Sequence, residues 1–141
     1  MAHDRMPEGP ADMLALARTM MARAYAPYSS FAVGAVLRGA NGKLYGGCNV
    51  ENAAFPESCC AETSAICAMV SDGERRITEI LVMAASDDPV TPCGGCRQRL
   101  REFADDDVKA HFCSPSGRRG TMTMGELLPH SFGPAHLGVK P

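Results

Sequence analysis

Pro92-Cys93-Gly94-Gly95-Cys96 sets two thiols three residues apart, a spacing that brings both sulfurs to one end of a helix. Taken alone the motif admits three readings: a thioredoxin-like redox pair, half of a zinc site, or two inert thiols. No second Cys-x-x-Cys and no His-x₃₋₅-His completes a structural zinc finger. The chain holds 7 cysteines, and an odd number cannot all close into disulfides. Met1 to Pro10 is polar and carries no secretory signal, so a cytoplasmic protein is expected. In a reducing compartment its thiols are buried small hydrophobes, metal ligands or nucleophiles.

Elements must bring such thiols to their partners. Met13, Leu14, Ala17, Met20, Met21 and Ala24 recur at helical spacing between Pro10 and Pro27. Phe31, Val33, Ala35 and Leu37 alternate ahead of Asn41-Gly42, and Leu44 to Val50 follows it, the pattern of a β-hairpin. Cys60 to Val70 is apolar nearly all round and stops at Asp72-Gly73, as a helix buried against a sheet would. Ile80 to Ala85 reads as a central strand covered on both faces, and Cys93 to Phe103 as another helix. Two short strands are expected over Val108 to Cys113 and Gly120 to Met124. A capping box at Thr123 to Glu126 opens a last short helix.

Strand–helix–strand units in this order close right-handed over one sheet, which predicts an α/β domain with a five-stranded mixed sheet. The loops after Val50 and Ala85 are then expected at the carboxyl ends of neighbouring parallel strands. They deliver the helix starts at Cys60 and Cys93 to one place. Cys60 thereby becomes a third thiol beside the Cys-x-x-Cys pair, and three thiolates leave a tetrahedral zinc one open position, the mark of a catalytic site. Such a centre carries a net charge of about −1, which two helix amino termini, each worth about half a positive charge, offset. Glu62 lies two residues past Cys60. It is either an acid serving the helix dipole or, beside an open zinc, a proton shuttle.

With 141 residues, 45% hydrophobic and 21% charged, the chain fits one soluble domain, residues 1–141, with 1–9 and 135–141 expected as flexible tails. Lys+Arg 14 against Asp+Glu 16 gives a net charge of −2 with no basic cluster. A nucleic-acid partner held through phosphates is therefore not expected. No apolar run is long enough to span a membrane.

Five blocks in one order resemble the zinc nucleoside deaminases, and specifically the small homotetrameric three-cysteine branch of the cytidine deaminase family. They are Tyr28-Ser29-Ser30-Phe31-Ala32-Val33-Gly34-Ala35, Gly47-Cys48-Asn49-Val50-Glu51-Asn52-Ala53, Cys60-Ala61-Glu62, Cys93 through Phe103, and Leu127 through Gly133. The similarity runs from about Ala26 to Gly133. It implies a three-layer αβα fold and one Zn²⁺ per subunit held by Cys60, Cys93 and Cys96, with Glu62 moving the protons. It further implies that Asn49 and Glu51 bond the ribose 3′-hydroxyl, that Phe31 and Ala61 lie beside the bound nucleoside, and that Phe132 reaches the base from a neighbouring subunit. The implied reaction is hydrolytic deamination of free cytidine and deoxycytidine to uridine and deoxyuridine in pyrimidine salvage, by a homotetramer with shared active sites. A deaminase of a cytosine-containing antibiotic nucleoside and a non-catalytic zinc-stabilised binding module are the alternatives.

The match departs from the family at two positions. Thr63 stands where many members have an arginine that neutralises the thiolates, which leaves the site more negative unless Arg97 or another cation compensates. Phe55 stands where a tyrosine often lies near the ribose 5′ end, which makes tolerance of altered sugars conceivable. Cys59 beside Cys60 raises a question of register, which alignment on Ala61-Glu62 answers in favour of Cys60. Cys48, Cys67 and Cys113 are expected to be buried, and His3, His111, His130 and His136 to be solvated or locally bonded.

Overall fold

The computed structural model describes residues 10–139, so the expected tail over 1–9 lies outside the described residues. Helix α1 (Ala11–Arg23) starts behind Pro10 and buries Met13, Leu14 and Ala17. Strands β1 (Val33–Gly39) and β2 (Leu44–Cys48) form the predicted hairpin. Its turn needs Gly42 at φ +82°, and the Asn41 side-chain oxygen accepts the Lys43 N–H at 3.0 Å. Helix α2 (Ala61–Ser71) ends at Asp72, with Gly73 at φ +91°. Strand β3 (Ile77–Ala84), helix α3 (Gly94–Phe103), strands β4 (Lys109–Ser114) and β5 (Gly117–Thr123), and the short helix α4 (Met124–Leu127) complete the order. The Thr123–Glu126 capping box is present in both directions. Within the stretch expected as a tail, Pro134–Leu137 forms a 3₁₀ turn.

Strand β5 starts three residues earlier than the sequence suggests. Pro115 and Ser116 make a two-residue connection, and a bulge between Phe112 and Cys113 takes up the extra residue so that pairing reaches Gly117.

The sheet order is β2-β1-β3-β4-β5, with β3 and β4 parallel and every other neighbour antiparallel. This corrects one expectation. β2 and β3 point the same way but are not neighbours, because the hairpin folds β1 in between them. The β2–α2–β3 connection therefore passes over β1, and the β3–α3–β4 connection follows on the same face. Both helices still start at the edge of the sheet where β2 and β3 end, about 10 Å apart at two strand spacings.

Alternation sorts the side chains into three layers. Met13, Leu14 and Ala17 of α1 pack on Val36, Leu81, Met83 and Cys113 on one face. Ala61, Ala65, Met69, Leu100, Met124 and Leu127 pack on Ala35, Leu37, Ile80, Val82, Ala110 and Phe112 on the other. Ile80 through Ala84 is buried throughout, as a strand covered on both faces must be.

Close contact positions α2. A Cβ on Gly47 would stand 2.3 Å from the Ala65 nitrogen and 2.6 Å from the Ala61 carbonyl oxygen, so only glycine lets the helix backbone lie this near β2. Ser64 reinforces the seat by donating its hydroxyl to the Cys48 carbonyl at 2.9 Å. The outer flank of α2 departs from the all-round burial read in its sequence: Cys67 is exposed and Val70 is 38% exposed. As an outer layer, α2 covers the sheet with one side only.

Candidate metal centre and active site

Cys60 is the residue immediately before α2 and Cys93 the residue immediately before α3, both in extended backbone, while Cys96 lies in the first turn of α3. Their three sulfurs lie within 4.8 Å of one another, and Cys60 Sγ is 3.9 Å from Cys93 Sγ. A tetrahedral zinc with bonds of about 2.3 Å requires sulfurs about 3.8 Å apart, so the donor set fits that ion. Among the described residues no fourth His, Cys, Asp or Glu joins the cluster. Cys96 is buried, Cys60 half-buried and Cys93 exposed, which leaves one side of the centre accessible.

The electrostatics call for a cation. Burial pushes the Cys60 and Cys96 thiols up, and the charge of Glu62 adds to both shifts. The Cys96 backbone N–H, followed by smaller contributions from the neighbouring thiols, brings Cys93 down. A divalent ion supplies the positive charge that three thiolates and a carboxylate lack. Glu62 is 5% exposed, and burial raises its pKa against only a bond from its own backbone N–H. A buried carboxyl whose charge reaches all three thiols has the placement and the proton affinity of an acid–base group.

Cys59 points its backbone elsewhere. Its N–H and carbonyl pair with Val50 in an antiparallel bridge, at 2.8 and 2.9 Å, and its thiol stays out of the cluster. Of the other cysteines, Cys113 is buried, with its thiol pushed up to about 11 by burial. Cys48 is half-buried, and Cys67 is exposed, contrary to expectation. His111 is buried and locally bonded, with Nε2 2.8 Å from Glu79 and Nδ1 2.9 Å from the Thr121 hydroxyl.

The expected sugar-binding pair forms a second group. Asn49 accepts the Val33 N–H at 2.9 Å and donates to the Phe31 carbonyl at 2.8 Å. One Glu51 oxygen accepts the backbone N–H groups of Tyr28 and Ser29 at 2.9 and 3.0 Å, and the other accepts the Ser29 hydroxyl. These bonds hold the Glu51 carboxyl below its usual range, the Ser29 hydroxyl contributing most. Both side chains are thus struts for the segment that carries Phe31, and carboxylate lone pairs and one amide hydrogen remain for a ligand. Ser29 is the residue that sequence reasoning missed; its hydroxyl also accepts the Phe31 N–H at 3.0 Å, and Ser30 takes φ +57°. The Tyr28-Ser29-Ser30 run after Pro27 was the available signal, since serines in turns bond their own backbone. Phe31 is 43% and Phe132 57% exposed, so neither is a core residue; Phe132 stacks on His136 with ring centroids 5.1 Å apart.

Arg97 makes no hydrogen bond to the thiolates in this structure. Its guanidinium donates to the Pro92 carbonyl at 2.8 Å, the Leu127 carbonyl at 2.8 Å and the Thr91 hydroxyl at 2.9 Å. Each of the three nitrogens donates one hydrogen bond, and together they tie the loop ahead of Cys93 to α4. Arg97→Ala is accordingly expected to lower stability by about 2–4 kcal/mol, as loss of several charge-assisted hydrogen bonds does. The rate–pH profile should stay in place. Thermal melting and a pH series on the variant check both, and a displaced profile would return Arg97 to the metal centre.

A fold that brings three thiols and a buried acid to two helix starts, with no fourth protein ligand among the described residues, defines a catalytic rather than a structural zinc protein. Residues 8–112 match the family model described as the cytidine and deoxycytidylate deaminase zinc-binding region. A cytidine deaminase of Sporosarcina psychrophila is 38% identical over 120 residues, covering 85% of this chain and 88% of that protein. One from Halalkalibacterium halodurans is 40% identical over 109 residues, covering 77% and 83%. The crystal structure of cytidine deaminase from Burkholderia pseudomallei superposes with a TM-score of 0.82 at 34% identity, covering 88% of this chain and 99% of that one. The chain belongs to the cytidine and deoxycytidylate deaminase family, whose zinc-binding region contains the cysteine cluster described above.

Proposed function

We propose that this chain hydrolytically deaminates cytidine and deoxycytidine to uridine and deoxyuridine with release of ammonia. The observation that carries the reading is the cluster of Cys60, Cys93 and Cys96 beside the buried Glu62. Zinc held by the three thiolates supplies Lewis-acid chemistry that makes water nucleophilic near neutral pH. Glu62 takes up the proton released there and delivers it to ring N3 of the base, which makes C4 electrophilic. After the water oxygen has added to C4, Glu62 takes the remaining proton from that hydroxyl and passes it to the amino group, which departs as ammonia as the C4 carbonyl forms. Its raised proton affinity suits both transfers, because it can hold a proton between them. Ala61, the first residue of α2, offers a backbone N–H with no partner inside the helix, matched to the carbonyl oxygen of a pyrimidine. The starts of α2 and α3 favour the negative charge that develops as C4 is attacked.

Asn49 and Glu51 receive the ribose hydroxyl with the capacity their struts leave free, while Phe31 holds one side of the base. The segments 28–31 and 49–55 contain no Lys or Arg to receive a phosphate, which favours a nucleoside over a nucleotide. Phe132 completes the pocket from a neighbouring copy in a homotetramer. The exposure of Tyr25, Tyr28, Phe31, Val50, Phe55 and Phe132 supports such burial between subunits. Among the described residues no helix is long and apolar enough to cross a membrane. All seven cysteines are unpaired, the state a reducing cytoplasm maintains. The test is to supply the purified chain with cytidine, deoxycytidine, cytosine and cytidine monophosphate and to measure uracil products and ammonia. Turnover of both nucleosides, with the free base and the nucleotide far slower, is the expected result. Turnover of cytosine alone would overturn the assignment.

A further inference from the structure

Cys96 is the most deeply buried of the three thiols, at 0% exposure, so no solvent reaches it to share the charge of a thiolate. Besides the two other thiols, a hydroxyl reaches it. Thr63, in the first turn of α2, sets its hydroxyl oxygen 3.8 Å from Cys96 Sγ, across the gap between α2 and α3. Two neighbouring facts leave Thr63 as the nearby donor to this sulfur. Ser64, the next hydroxyl along, is committed to the Cys48 carbonyl. Arg97, the cation next to Cys96 in the chain, is tied to the Thr91–Pro92 loop and α4.

We infer that Thr63 is a positioning residue for the metal: its hydroxyl donates to the Cys96 thiolate, fixes that sulfur's direction and draws off part of its charge. The inference rests on the zinc reading above and deepens it, because a centre of three thiolates and a nearby carboxylate has no side-chain cation to do this work among the contacts described. A neutral donor leaves the centre more negative than a guanidinium would. Partners that hydrogen-bond metal ligands typically govern affinity by about 10- to 100-fold.

The experiment compares the full-length wild type, Thr63→Val and Thr63→Ser by competition for zinc with a chromogenic chelator, and by the absorption spectrum after replacing zinc with Co²⁺. Thr63→Val keeps the branched shape and removes the donor. Its zinc dissociation constant is expected to rise about tenfold or more, and its thiolate-to-cobalt absorption to move to lower energy. Thr63→Ser, which restores the hydroxyl, should return both readings to near those of the wild type. If Thr63→Val does not fold, Thr63→Ala carries the same comparison against Thr63→Ser. A valine or alanine variant that binds zinc within about twofold of the wild type, with the same cobalt spectrum, would overturn the role given to Thr63 and leave the zinc reading standing. A wild type that takes up no zinc would overturn both.

Discussion

Glu62→Gln should keep its zinc and its nucleoside and lose turnover by about 10³-fold or more, the scale at which a positioned acid–base group contributes. Glutamine has nearly the shape of glutamate and keeps the first turn of α2 filled, so the cysteine cluster need not move. What it cannot do is take a proton and give it back, and the proposed reaction asks for that at N3 and again at the leaving amino group. Burial raises the pKa of Glu62, with only its own backbone N–H opposing. The same shift has a consequence for stability in the zinc-stripped chain. A carboxyl whose folded pKa lies above its ordinary value of 4.5 stabilises the fold fully only below that value. Its contribution is lost as pH climbs through the raised folded pKa. Glutamine stays neutral throughout, so the zinc-stripped variant should melt higher than the zinc-stripped wild type at pH 7 and equal it near pH 4. Metal content, nucleoside binding by calorimetry and steady-state rates check the variant. Turnover near that of the wild type would remove Glu62 from the mechanism.

Removing a sulfur from the centre should cost more still. Cys60→Ala, Cys93→Ala and Cys96→Ala each leave two thiols where three surround the ion, and each should reduce bound zinc to a small fraction of one equivalent and abolish measurable turnover. Cys59→Ala is the matched control. Its backbone bridges to Val50 and its thiol stands apart from the cluster, so zinc content and rate should remain those of the wild type. The comparison separates adjacent residues of one type by their place relative to α2: Cys59 ends an extended segment, while Cys60 precedes the first helical residue and lies beside the helix start. Loss of zinc in Cys59→Ala with retention in Cys60→Ala would shift the register by one and refute the centre as described. The Cys96 variant should also be the least stable of the three, because its sulfur fills buried space between α2 and α3.

Much of the fold was legible because its signals are local. Asn41-Gly42 between alternating apolar residues could hardly be anything but a hairpin. The apolar run at Ile80 marked the doubly covered strand, and Thr123 with Glu126 marked α4. The placing of β1 between β2 and β3 was not legible, because hairpin pairing says which strands touch and not on which side the next strand adds. Within the site, Cys60, Glu62, Cys93 and Cys96 could be found because each stands at or next to a helix start, where position in the chain nearly determines position in space. The fate of Arg97 could not, since its three acceptors lie on Thr91, Pro92 and Leu127, and only the folded chain brings the last of these near. The exposed Cys67 on α2 was not legible for a related reason: an apolar helix announces burial, but not that as an outer layer it covers the sheet with one side only. The family resemblance implies a sugar-binding role for Asn49 and Glu51, while their bonds to the Tyr28–Val33 segment emerge only in three dimensions.

Zinc at Cys60, Cys93 and Cys96 is what we propose makes this chain a deaminase of cytidine. The most direct measurement strips the purified chain with a chelator, restores zinc in steps, and follows bound metal and ammonia release from cytidine together. Turnover should vanish in the stripped chain and return in proportion to bound zinc, saturating at one ion per chain. Full turnover in a chain free of metal, or zinc bound at one equivalent with no ammonia released from cytidine, would contradict it.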